Sequence, residues 1–292
     1  MQETRVPEPN QTAVESTPFD GASGNSSASA GVLRSGATPN LEARADGSPQ
    51  AIVASGLVKK YHGRRAVDEV SVHVNRGEVV GLLGPNGAGK TTTFYMIMGL
   101  VKTDGGSVQL GKNNVASWPM HRRARAGIGY LAQDPSVFRK LTVEENIKAV
   151  LELMPMTRSQ RKERVEELLG DLDLAHKRYS MGISLSGGER RRTEIARTLA
   201  TNPFFILLDE PFTGVDPLVR QEIQGIVLRL KEQGIGILIT DHNEYETLEI
   251  IDRGYILSDG RVIAEGTADE LIADPRARQV YFGEKIGRLQ PR

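Results

Sequence analysis

Apolar residues fall in two kinds of run along this chain. Val79-Val80-Gly81-Leu82-Leu83, Phe205-Ile206-Leu207-Leu208 and residues 235–240 are short and almost wholly apolar, the pattern of strands buried on both faces of a parallel sheet. Elsewhere the apolar positions return at helical spacing. Thr142-Val143-Glu144-Glu145 fits a capping box, after which Ile147, Val150, Leu151 and Met154 share one helical face. Val165, Leu168, Leu169 and Leu172 repeat that spacing beside a charged run over residues 161–167 that reads as a solvated face. Residues 139–200 are therefore expected to form a helical subdomain. Residues 51–74 and 107–115 read as short strands, with turns at Gly77 and Gly105-Gly106, in a small antiparallel subdomain. Strands alternating with helices predict an α/β core whose largely parallel sheet is covered on both faces.

Composition separates an amino-terminal stretch from this body. Ser, Gly, Ala, Pro and Asn dominate residues 1–50 with no periodic apolar positions, so a disordered tail is expected there, followed by a folded domain over 51–285 and a short tail over 286–292. Glu3, Glu8, Glu15 and Asp20 argue against a targeting segment. No apolar run approaches the roughly 20 residues of a membrane span, so any membrane association is expected through a partner. Lys plus Arg and Asp plus Glu each number 37, which leaves no net field to gather nucleic acid. With no cysteine, thiolate chemistry and disulfides are excluded, in keeping with a cytoplasmic location.

The candidate chemistry lies where the apolar runs end. Gly84-Pro85-Asn86-Gly87-Ala88-Gly89-Lys90-Thr91 follows one buried strand and, with Thr92, opens the apolar segment 92–100. This is the strand-loop-helix setting of a phosphate-binding loop, in which glycine backbone N–H groups close on the β-phosphate at a helix N-terminus. Lys90 supplies a point charge for the β- and γ-phosphates, and the Thr91 hydroxyl is a ligand for Mg²⁺. ATP and Mg²⁺ are the expected cofactors. Phe205-Ile206-Leu207-Leu208-Asp209-Glu210 delivers two carboxylates to the same sheet edge. Asp209 is expected to hold Mg²⁺ through water, and Glu210 to orient the attacking water.

Leu185-Ser186-Gly187-Gly188-Glu189, ahead of a helix-forming run, resembles the signature of ABC ATPases. Residues 52–283 carry the remaining elements of that family in order. The resemblance implies a P-loop NTPase core, adenine stacking by Tyr61, a Q-loop at Gln133 that reports γ-phosphate and metal to a transport partner, and a switch histidine at His242. Ser186, Gly187, Gly188 and Glu189 would meet a γ-phosphate held by another subunit. Gly214-Val215-Asp216 departs from the commoner Ser-Ala-Leu-Asp, leaving Asp216 as the expected cross-subunit contact. The family arrangement implies a head-to-tail homodimer closed by two ATP molecules. The arginines at 190–192 read as a solvated face.

Several segments, among them Thr91-Thr92-Thr93-Phe94-Tyr95-Met96, Asp209-Glu210-Pro211-Phe212-Thr213-Gly214-Val215-Asp216-Pro217 and Val280-Tyr281-Phe282-Gly283-Glu284, are similar to the ATPases of lipopolysaccharide export in Gram-negative bacteria. That similarity implies two inner-membrane permease subunits as partners, attachment to the cytoplasmic face through them, and only indirect contact with lipopolysaccharide. Phe138-Arg139 resembles the family's partner-facing groove; the alternative is that Phe138 packs internally. The ATPase of a branched-chain amino-acid importer is the second expectation, and a non-transport ABC ATPase the third. A single cassette without heptad repeats or basic charge counts against the third.

Overall fold

The computed structural model describes residues 47–242 and 244–283. The expected tail lies outside them up to residue 46, as do residues 284–292. At 48–50 the chain is already packed. Ser48 is buried, Arg76 N donates to Gln50 O at 3.0 Å, and the folded body therefore starts a few residues before 51.

Two sheets form from the two kinds of strand. β1 (Ala51–Tyr61), β2 (Arg64–Asn75), β4 (Gly105–Leu110) and β5 (Asn113–Asn114) make an antiparallel sheet in the order β2-β1-β4-β5. β3 (Val79–Leu83), β6 (Ile128–Leu131), β7 (Phe205–Asp209), β8 (Gly236–Thr240), β9 (Arg253–Ser258) and β10 (Arg261–Gly266) make a second sheet in the order β10-β9-β3-β8-β7-β6. Every pairing in it is parallel except β10 with β9.

The apolar strands are buried on both faces because alternate residues serve different cores. Val79, Leu83, Ile206, Leu208, Ile237 and Ile239 pack with the helical subdomain. Val80, Leu82, Phe205, Leu207 and Leu238 pack with α1 (Lys90–Met98) and the antiparallel sheet. α1 stops at Met98, two residues short of the expected end, because Gly99 takes a left-handed conformation. α2 (Met120–Arg125) leads into β6.

The helical subdomain holds α3 (Val143–Leu151), α4 (Arg158–Asp171) and α5 (Gly187–Leu199). Thr142 and Glu145 form the capping box that opens α3. Ile147 and Leu151 are buried on its inner face, whereas the helix ends before Met154. α6 (Pro217–Glu232), α7 (Glu244–Leu248), α8 (Ala268–Ala273) and α9 (Pro275–Ala277) complete the chain. Among the described residues no helix is long and apolar enough to cross a membrane.

Two expectations are corrected. Gly105-Gly106 is not a turn but the start of β4, opposite the irregular register of β1 between Ser55 and Val58. A Cβ on Gly106 would lie 2.3 Å from Gly56 O, so glycine is kept there by close backbone approach. The arginines at 190–192 are not one solvated face. Arg191 is buried, with Nη1 donating to Ala132 O at 2.8 Å and to Glu194 Oε2 at 3.2 Å. Its position on the inner side of α5 and the Glu194 carboxylate one turn along make that burial tolerable.

Candidate active site

The parallel register brings the chemistry to one sheet edge. β3 and β7 flank β8, with Leu82 and Asp209 both paired to Thr240. The loops after all three strands therefore open on the same side. In the loop after β3, Gly84 has φ of +137° and a Cβ there would lie 2.2 Å from Leu257 O. No side chain fits at that corner. Gly87 and Gly89 are left-handed as well, and Gly89 forms the N-cap of α1 without using a side chain. The first N–H groups of α1 are thus presented to an anion.

Lys90 is buried, and Nζ donates to Gly84 O at 2.6 Å and Pro85 O at 3.1 Å. Burial pulls its ammonium below the usual range, against the opposing pull of Glu210 and Asp241. A phosphate replacing those carbonyls would offer full charge neutralisation. The loop, Lys90, Thr91 and Thr92 are contiguous at the start of α1, with Thr91 exposed.

Asp209 is buried beneath the loop. Burial raises its pKa, while Thr240 Oγ1, donating to Oδ1 at 3.1 Å, pulls the other way. Tyr130 OH lies 3.4 Å from Oδ2. Glu210 follows in a left-handed conformation at φ +43°, which turns its side chain out of the sheet toward two other loops. Gln133 Nε2 donates to Glu210 Oε2 at 2.7 Å, and His242 Nδ1 lies 3.2 Å from the same oxygen. Residues 77 and 32 positions away in sequence thus meet the carboxylate directly. Asp209, Thr91 and the Gln133 amide oxygen are hard donors of the kind Mg²⁺ takes. Among the described residues no group of three or more His, Cys, Asp or Glu gathers into a metal cage.

Of the other expected residues, Ser186, Gly187 and Asp216 are exposed whereas Gly188 is buried. Tyr61, at the end of β1, is 45% exposed, with Lys59 Nζ 5.5 Å from its ring centre. Ser186 caps α5 by accepting from Glu189 N, and Gly187 and Gly188 begin that helix. Glu189 turns inward instead. Its Oε2 accepts Ser186 N at 2.8 Å and its Oε1 lies 3.0 Å from Lys177 Nζ. Desolvation works to raise its pKa, but the hydrogen bonds from Ser186 and Lys177 bring it down to about 2. Asp216 caps α6, Oδ1 accepting from Leu218 N and Val219 N at 3.1 and 3.0 Å. Phe138 does not pack internally: it is 47% exposed beneath Arg197, whose guanidinium lies 4.3 Å from the ring centre, and Arg139 beside it is exposed.

Several contributors carry no motif. Arg191 and Glu194 clamp the Gln133 loop at both ends, through Ala132 O and through Ser136 N at 2.7 Å from Glu194 Oε1. Asn146 is wholly buried and holds the Phe138 backbone, accepting from Phe138 N at 2.8 Å and donating to Phe138 O at 3.1 Å. The only sequence signal was polar residues on the apolar faces of α3 and α5.

The family model for ABC transporters matches residues 67–213, and the model for the branched-chain amino acid ATP-binding cassette transporter matches residues 261–286. An uncharacterized ABC transporter ATP-binding protein of Rhizobium meliloti (strain 1021) is 54% identical, covering 84% of this chain and 90% of its own. The lipopolysaccharide export system ATP-binding protein LptB of Escherichia coli (strain K12) is 53% identical over 80% of this chain and 97% of its own. Among solved structures, the ADP conformation of MJ1267, an ATP-binding cassette of an ABC transporter, matches with TM-score 0.72 and 32% identity over 80% of this chain and 99% of that one. The dimeric post-hydrolysis state of the cassette MJ0796 bound to ADP and Pi matches with TM-score 0.66 and 26% identity over 74% of this chain and 98% of that one. With phosphate loop, paired carboxylates and signature helix on this fold, the chain belongs to the ATP-binding, ATP-hydrolysing family of ABC transporters.

Proposed function

We propose that this chain energises lipopolysaccharide export, as a homodimer bound to two inner-membrane permease subunits on the cytoplasmic face. The cargo reading is supported by 53% identity to LptB over nearly its whole length. The dimer is supported by the dimeric MJ0796 cassette and by the exposure of Ser186 and Gly187 at the capped start of the signature helix.

The observation that carries the hydrolytic role is the meeting of Gln133 and His242 on Glu210, next to buried Asp209. In this mechanism Tyr61 stacks on adenine, residues 84–92 bind the phosphates, and Lys90 neutralises β- and γ-oxygens. Thr91, Asp209 and Gln133 would hold Mg²⁺, which would supply charge neutralisation there. Glu210 accepts a hydrogen bond from the attacking water and orients it in line with the γ-phosphate, and His242 donates to a γ-oxygen. Ser186, Gly187 and Gly188 of the partner subunit complete the site, with Asp216 near the shared boundary. Glu189 acts behind them by holding the cap. Phe138 and Arg139 offer an aromatic and a charged anchor to a permease.

The match of residues 261–286 to a branched-chain amino acid transporter model favours a second reading, an importer ATPase. One experiment separates the two: Glu210→Gln protein is purified from its native membranes in mild detergent with ATP. We expect bound ATP, a trapped dimer, hydrolysis reduced at least about 100-fold, and co-purification of lipopolysaccharide-export permeases. Recovery of an importer permease would overturn the cargo, and undiminished hydrolysis would overturn the role of Glu210.

A further inference from the structure

The turn after β7 carries a hydroxyl, that of Thr213, which the roles given above leave unused. Glu210 N donates to Thr240 O at 2.8 Å, so the Glu210 backbone is fixed and the direction of its carboxylate depends on what touches it. Among the described residues, the three side chains hydrogen-bonded to it meet one oxygen. Oε2 accepts from Gln133 Nε2 at 2.7 Å, accepts from Thr213 Oγ1 at 3.2 Å, and lies 3.2 Å from His242 Nδ1. Thr213 Oγ1 also lies 3.4 Å from His242 Nδ1, which closes a triangle of Glu210, Thr213 and His242.

Of these groups, Thr213 alone belongs to the same turn as Glu210, its amide donating to Glu210 O at 3.2 Å. Gln133 and His242 arrive on separate loops. The local hydroxyl is therefore the restraint that stays with Glu210 when those loops shift. The terminal torsion of a glutamate is broad, so a carboxylate held at one oxygen by a charge-assisted bond presents the other in a defined direction.

We propose that Thr213 is a positioning residue for hydrolysis. Its hydroxyl holds Oε2 of Glu210 against His242, so that Oε1 is the oxygen presented to the attacking water. This rests on Glu210 as the carboxylate that orients water. Thr213 acts through its contact with Glu210. Because Thr213 is exposed, replacing it opens no cavity in the core.

Two substitutions separate hydroxyl from shape. Thr213→Val keeps the branched outline and removes the donor; Thr213→Ser keeps the donor and removes the methyl. Steady-state ATPase of the full chain should give a kcat about tenfold lower for Thr213→Val with KM for ATP within about twofold, because orientation and not binding is lost. Thr213→Ser should keep at least about half of the wild-type kcat on the same grounds. Wild-type turnover in Thr213→Val overturns the proposal, as does a greater loss in Thr213→Ser than in Thr213→Val. Equal losses in both, accompanied by a lowered melting temperature, mark a structural role and overturn it too. Glu210→Gln run alongside distinguishes the two layers: if it hydrolyses ATP normally the underlying reading fails, whereas if it is inactive and Thr213→Val is not impaired, only the role of Thr213 fails.

Discussion

Glu189 illustrates how a residue in a recognised motif serves its own helix before any partner. Its carboxylate closes the capping box of α5 with Ser186 and pairs with Lys177, fixing the donors at the start of the signature helix. The folded pKa of about 2 lies below the 4.5 of the free side chain. A depressed carboxylate contributes stability that is complete above the unfolded value and is lost as pH falls through the folded one. Glu189→Gln should therefore be less stable than the wild type at pH 7, and the gap should close between about pH 4.5 and pH 2. Denaturant unfolding of both proteins across that range measures it; a gap that persists unchanged at pH 2.5 would contradict the assignment.

At the scale of elements, α1 is held at its far end by one buried side chain. Arg123 is 1% exposed and donates through Nη1 to Met96 O at 2.8 Å and Ile97 O at 2.5 Å, through Nε to Trp118 O at 3.0 Å and through Nη2 to Ala116 O at 2.9 Å. It donates to carbonyls in the last turn of α1, where Met96 O otherwise accepts only a long bond of 3.3 Å from the Gly99 amide. Burial brings its pKa down to about 10, still charged at neutral pH. Arg123→Met fills a similar volume but removes the buried side-chain donor shared by four carbonyls, so a loss of about 3 kcal/mol is expected. Arg123→Lys should recover little, since an ammonium cannot span four carbonyls held in the plane of a guanidinium. Urea unfolding reads both variants, and a loss below about 1 kcal/mol for Arg123→Met would show that the carbonyls find other donors.

For the molecule as a whole, the groups proposed to hold nucleotide come from loops after β3, β6, β7 and β8 together with the end of β1. ATP should therefore fasten separate parts of the chain to one another. At a concentration 100 times its Kd, ATP bound only to the folded protein adds about 2.7 kcal/mol to the unfolding free energy. A thermal shift should follow in the wild type and persist in Glu210→Gln, which keeps the phosphate contacts. Lys90→Ala should lose most of it, having lost the buried cation of the site. A full shift in Lys90→Ala would place the binding energy elsewhere.

Much of this was readable along the chain because its causes are local. Strands buried on both faces betray themselves by unbroken apolar runs, Thr142 and Glu145 by the spacing of a capping box, and the phosphate loop by glycines between a strand and a helix. Gly105-Gly106 misled because a glycine pair at a turn and one admitted by a close backbone crossing look alike in sequence. The burial of Arg123 and Arg191 was equally illegible: an arginine goes inside only where carbonyls or a carboxylate from other segments converge on it. The same holds for Glu210. Its identity and its place at a strand end are properties of the sequence, but the meeting with Gln133, Thr213 and His242 depends on the parallel register of β7 and β8 and on a left-handed turn at Glu210. Local propensity and periodicity act over a few residues, whereas the distances that decide catalysis are set by how distant strands align.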